Sequence, residues 1–158
     1  MMTGQMASAA TRYKLLRFEI DDRPYVADIE HIREIVFYRP AIPVPHAPAF
    51  LQGVMDLRGT AIPLIDLRER LGVPAARRVD PTHILVVRLA EHLISGLIVD
   101  RVCDVLEVDQ DSFQGPDEGV AQPSLCRGIC RVKNELVLVV DFGAVLRMDE
   151  YSLLAGVV

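Results

Sequence analysis

GVMDLRGTAIPLIDLRERLG, running from Gly53 to Gly72 of a 158-residue chain, reads as two short apolar strands and the start of a helix, with Arg58-Gly59 between the strands. Glycine suits a tight turn because it takes positive φ without penalty. Arginine has no such use, so its place at a turn tip calls for a partner. The stretch also decides the fold, because the chain contains it twice. Shifted by 75 positions, Gly53 falls on Gly128, Val54 on Ile129, Leu57 on Val132 and Arg58 on Lys133. Further along, Ile62 falls on Val137, Leu64 on Val139, Ile65 on Val140, Asp66 on Asp141 and Leu71 on Leu146. Gly59 falls on Asn134, the other residue type that tolerates positive φ. One hairpin is built twice.

An earlier segment repeats at a shift of 70: ADIEHIREIV (Ala27 to Val36) lies over LIVDRVCDVL (Leu97 to Leu106), with Ile32 on Val102, Glu34 on Asp104 and Ile35 on Val105. Each half therefore runs strand, strand, short link, hairpin. Two copies are too few for a solenoid. Tyr13 to Ile20 and Arg23 to Ile29 read as a hairpin around Asp21-Asp22, and Ile29 to Val36 as holding a short helical turn. The four prolines between Arg39 and Pro48 make that segment an extended connector. Pro63 inside the second strand of the hairpin places that strand at an edge or a bulge. Asp66 and Glu69 have capping-box spacing for a helix ending near Gly72. The stretch from Gly143 to Leu154 reads as helical. The class is mainly β, with short helices, and two small barrels fit better than a sandwich.

Composition narrows the function. The chain is 51% hydrophobic with no tryptophan, so its core must be built from Val, Leu and Ile. Its net charge of −5 gives no attraction for phosphate backbones, which argues against nucleic acid as a partner. No apolar run is long enough to span a bilayer, so no direct membrane insertion is expected, and the start lacks the pattern of a signal peptide. Three cysteines, Cys103, Cys126 and Cys130, with no secretory signal, read as reduced cytoplasmic thiols without an obligatory disulfide. The four histidines share no ligand spacing, and no structural metal is expected. The sequence carries no G-x-S-x-G, H-E-x-x-H, P-loop or G-x-G-x-x-G, which argues against an enzyme. The acidic loop from Asp109 to Glu118 is expected to face solvent and to be mobile.

GVMDLRGTAIPLIDLRERLG, the preceding APAFLQG and the later SGLIVDRVCDVLEV together resemble the CheW-like coupling proteins of bacterial chemotaxis, over about Tyr13 to Leu146. The resemblance implies two pseudo-repeated five-stranded SH3-like barrels packed together, forming one domain of two intertwined β-barrel subdomains over 13–150 between tails at 1–12 (disordered) and 151–158. It implies a cytoplasmic, non-catalytic adaptor with no cofactor. Such an adaptor couples the cytoplasmic helical tip of a methyl-accepting chemoreceptor to the regulatory domain of a CheA-type histidine kinase. It also implies partner-binding roles for Ile32, Glu34, Gly53, Arg58, Val102 and Val105. One departure lies inside the arginine motif, where Asp56 stands for the usual asparagine.

Each residue has a plainer alternative. Ile32, Val102 and Val105 serve either as core or as an exposed apolar strip that a partner helix covers. Glu34, Asp104 and Arg58 serve either as contacts or as solvated side chains. The competing function is a two-component regulatory domain that binds a small molecule in the groove between the barrels.

Overall fold

The computed structural model describes residues 12–114 and 125–155. The expected N-terminal tail lies outside the described residues except for Arg12, which opens the first strand, and so do residues 115–118 of the acidic loop. The first strands, β1 (Arg12–Ile20) and β2 (Arg23–Asp28), form a hairpin. Its tip residues, Asp21 and Asp22, have φ of 56° and 59°, the mirror-image turn that matches strand twist. A single 3-10 turn, Ile29–His31, leads to β3 (Ile32–Phe37). The helical turn expected over Ile29 to Val36 is thus confined to its first three residues, and the alternating side chains that follow pair as a strand. After the connector come β4 (Leu51–Leu57), β5 (Thr60–Asp66) and the one-turn helix α1 (Leu67–Arg70). The second half supplies β6 (His83–Ala90), β7 (Leu93–Val99), β8 (Arg101–Asp109), the two-residue β9 (Phe113–Gln114), β10 (Cys126–Val132), β11 (Glu135–Val140) and α2 (Met148–Ala155).

The strands form two sheets, ordered β8-β1-β2-β11-β10-β9 and β3-β6-β7-β5-β4. The short β9 is the addition to the expected five strands apiece. Each sheet draws on both halves of the chain, so the two barrels are intertwined. The repeat is written into their pairing. Leu64 of β5 lies beside Gly96 of β7 in parallel register, and Val139 of β11 lies beside Val26 of β2. The shifts of 75 and 70 carry one pair onto the other. Bulges repeat as well: the register slips between Ile32 and Glu34 and again between Leu51 and Gly53. The matching slips fall opposite Val102–Asp104 and between Cys126 and Gly128.

Three apolar clusters explain why strand residues are buried on both faces. Leu15, Val26, Cys130, Val137 and Val139 fill one barrel, and Met55, Ile62, Leu64, Ile84 and Val86 fill the other. The largest cluster, with Leu16, Phe18, Leu85, Leu97 and Phe142, lies between them. Successive residues Leu15 and Leu16 therefore serve different cores.

Three local expectations need correction. β5 is an interior strand, and Pro63 lies opposite Val54 with no bulge at its own position. It is tolerated because pairing with β7 begins only at Leu64, so its missing N–H leaves no gap in the ladder. At α1, Asp66 Oδ1 accepts the Arg68 N–H at 3.0 Å, and among the described residues no return bond from Glu69 completes a capping box. The C-terminal helix starts at Met148, after a 3-10 turn at Phe142–Ala144, and not at Gly143. Residues 151–155 belong to it because Leu154 is buried in the central core and Glu150 accepts from Arg70 Nη2 at 2.7 Å.

Candidate partner-binding surface

Arg58 sits in a two-residue turn, with Leu57 opposite Thr60, and both turn residues are left-handed: φ is 49° at Arg58 and 89° at Gly59. The counterpart turn repeats this, with 49° at Lys133 and 66° at Asn134. A non-glycine residue in this region costs about 1–2 kcal/mol, so a long basic side chain is kept where glycine, asparagine or aspartate would be easier. Its partner is Glu34. Arg58 Nη1 donates to Glu34 Oε1 at 3.0 Å, and Nη2 donates to Oε2 in a bidentate pair. The bond to Arg58 holds the Glu34 carboxyl below its ordinary pKa and raises that of the guanidinium.

The pair spans a seam. β3 and β4 are the two edges of their sheet, so the barrel closes only where they are brought together. Three links do this, the first from β3 and the other two from the connector that follows it: Glu34 to Arg58, Arg39 Nη2 to the Asp56 carbonyl at 3.0 Å, and a double backbone bridge between Ile42 and Val54 at 2.8 and 2.9 Å. Asp56, the departure in the motif, does not pair with Arg58. Its Oδ1 accepts the Gly59 N–H at 2.8 Å and so caps the turn. Arg58 remains 71% exposed by side chain, against 30% for Glu34, so the guanidinium's other donors face solvent.

The remaining candidates divide by position. Gly53 is buried, with φ of 146°, and a Cβ there would lie 2.3 Å from the Ile42 carbonyl oxygen. It presents no side chain, and its place lets the connector close on β4. Ile32 and Val102 are half-buried against the central core. Val105 is 56% exposed on β8, the free edge of the other sheet. The structure thus brings Glu34 and Arg58 together, sets Gly53 beneath the same seam, and places Val102 and Val105 on the other barrel's edge strand. Asp104 and Lys133, which repeat Glu34 and Arg58, form no ion pair among the described residues.

Sequence reading missed Ile35 and Phe37, exposed by 40% and 78% on β3, with the Phe37 ring 5.4 Å from that of His83. The repeat held the signal for Ile35, since it falls on Val105. Among the described residues no group of three or more His, Cys, Asp or Glu is placed to hold a metal. All three cysteines are free. The Cys103 thiol is pushed up by partial burial and then by Glu19, which keeps it protonated.

Two intertwined barrels with exposed apolar residues on edge strands β3 and β8 define a small, mainly β module. Residues 14–150 match the model of the CheW-like domain. The chain is 34% identical over 142 residues to the chemotaxis protein CheW of Rhizobium meliloti, covering 87% of this chain and 89% of that one. It is 29% identical over 142 residues to the chemotaxis protein CheW of Bacillus subtilis, with 89% and 90% covered. Among solved structures, the scaffolding protein TtCheW of Thermoanaerobacter tengcongensis superposes with a TM-score of 0.77 at 25% identity, covering 89% of this chain and 96% of that one. The chain belongs to the CheW-like family and is a chemotaxis scaffold of that non-catalytic kind. Among its described residues, no helix is long and apolar enough to cross a membrane.

Proposed function

We propose that this scaffold works in the cytoplasm as an adaptor between a chemoreceptor's cytoplasmic helical tip and the regulatory domain of a CheA-type histidine kinase. The observation that carries the reading is the Arg58–Glu34 pair: a bidentate ion pair at a barrel seam whose arginine keeps a strained turn and still offers donors to solvent. A receptor helix meets the arginine's free donors with a carboxylate or exposed carbonyls, and Ile32 and Ile35 on β3 supply apolar contact beside it. The kinase domain docks barrel to barrel, for which Val105 on β8 and the exposed Leu136 and Leu138 on β11 supply apolar anchors.

A small-molecule role in the groove between the barrels finds less support, because that space holds the largest apolar core of the molecule. The test is reconstitution from purified parts. Chain, receptor hairpin and kinase regulatory domain are expected to co-migrate as one ternary complex, with the two partners held together only when the chain is present. Failure of the chain to bind either partner contradicts the proposal, and a metabolite that raises its melting temperature favours the regulatory-domain reading.

A further inference from the structure

The chain passes from one barrel to the other at two places that the repeat makes equivalent: Ile29–His31, between β2 and β3, and Asp100, between β7 and β8. They are not held alike. The Asp100 carboxylate accepts from Arg68 Nη1 at 3.2 Å and from the Asp21 backbone N–H at 2.8 Å. Its carbonyl accepts from the Thr82 N–H at 3.1 Å and the Thr82 hydroxyl at 2.6 Å. Arg68 is gripped in turn by Asp66, Nε to Oδ1 at 2.9 Å and Nη2 to Oδ2 at 3.1 Å. Asp66, Arg68 and Asp100 are all buried, and the next residue, Arg101, pairs with Glu19 of β1. This crossover is therefore tied to the β1–β2 turn of one barrel and to the β5–α1 corner of the other.

Its counterpart lacks the hub. At a shift of 75, Asp66 falls on Asp141, and the two aspartates cap alike, each Oδ1 accepting the N–H two residues on, at 3.0 and 2.9 Å. Arg68 falls on Gly143, which has no side chain to reach across. Asp100 falls on Glu30, which is exposed. What holds Ile29–His31 is local: the Glu30 N–H to Asp28 Oδ1 at 2.9 Å, the Ile32 N–H to the Ile29 carbonyl, and the packing of Ile29 and Ile32 against the central core. Opening the Asp100 crossover separates buried charges from their partners, which is strongly unfavourable. Opening the other breaks short-range bonds and the terminal Ile32–Val87 rung of the β3–β6 ladder, which a bulge already sets apart from the rest, and frees two half-buried side chains, the kind of region that opens without global unfolding.

We propose that the two crossovers form an unequal hinge: Asp100 is the fixed side, locked by Arg68, and Ile29–His31 is the side that opens in the native protein, carrying the start of β3 with it. Where the adaptor reading above holds, the opening reaches the candidate site, because β3 carries Ile32 and Glu34. The hinge itself does not depend on that reading, and its test uses no partner. Native-state hydrogen exchange by NMR on the full chain compares the amides of Asp21 and Thr82 with those of Glu30 and Ile32. The expected result is that the first pair exchange only through global unfolding, with protection at least about tenfold above the second pair. In Arg68→Lys, which keeps the charge but loses the fork, protection at Asp21 and Thr82 is expected to fall at least about tenfold while Ile32 is unchanged. Equal protection of Ile32 and Thr82 in the wild type overturns the hinge, and so does an Arg68→Lys effect that is equal at both crossovers or absent from both. Should the variant fail to fold, the wild-type comparison decides alone.

Discussion

Arg58 gives the turn a conformation it does not suit and gives the seam one of its three links, the bidentate bond to Glu34. Because the bond holds the Glu34 carboxyl below its ordinary pKa, the sign of the pH effect is fixed. A lowered folded-state pKa contributes stability above the ordinary carboxylate range, and the contribution is lost as acid carries Glu34 through its depressed value. An NMR titration of the Glu34 side chain is expected to show a low midpoint in the wild type that moves up into the ordinary range in Arg58→Ala. An unmoved midpoint means that the pair does not form in solution. Much at this scale was legible in the sequence, for a basic residue at both repeated tips marked Arg58 and Lys133 before any contact was known. What could not be read was the partner. Glu34 lies 24 residues away on a strand at the opposite edge of the sheet, and only barrel closure makes the two neighbours.

At the scale of elements, the β4–β5 hairpin works because its first strand lets another chain segment lie directly on it. Gly53 is where this happens, so Gly53→Ala puts a methyl against the Ile42 carbonyl in a backbone conformation that L-residues avoid. Overpacking and strain together are expected to cost about 2 kcal/mol or more in chemical denaturation. An unchanged midpoint would show that the connector does not close on β4. Docking through the exposed apolar residues Val105, Leu136 and Leu138 has its own signature. Kinase affinity should change little between low and moderate salt, because screening acts on exposed charges, whereas a fall of several orders of magnitude would point to electrostatic docking. The repeat and the alternation of apolar residues made both hairpins legible at this scale. Pro63 misled the reading, since a proline excludes pairing only on the side its nitrogen faces, and which side that is depends on where the neighbouring strand begins.

At the scale of the molecule, the halves that the sequence displays are not the halves that fold. Each barrel takes one hairpin from one half and the complementary strands from the other. Separately produced fragments 1–80 and 81–158 are therefore each expected to lack cooperative unfolding, and mixing them is expected to restore it. A fragment that melts cooperatively by itself would mean that the barrels are not intertwined. The repeat announced two similar units and the family resemblance implied that they intertwine, but neither named the strands exchanged, because a repeat records similarity and not which copy pairs with which. The whole molecule is also where the adaptor claim stands or falls, and one variant tests it most directly. Alanine bears the same left-handed backbone cost as arginine, so Arg58→Ala removes the side chain and nothing else from the turn. The melting temperature and both affinities are measured for that variant. An exposed ion pair contributes little to folding, so the melting temperature is expected to move by about 3 °C or less, and kinase affinity to survive. Receptor-tip affinity is expected to fall about thirtyfold or more, as for an anchor at the centre of an interface. Unchanged receptor affinity, or a collapse of melting that removes both partners together, would contradict the assignment of Arg58 to the receptor.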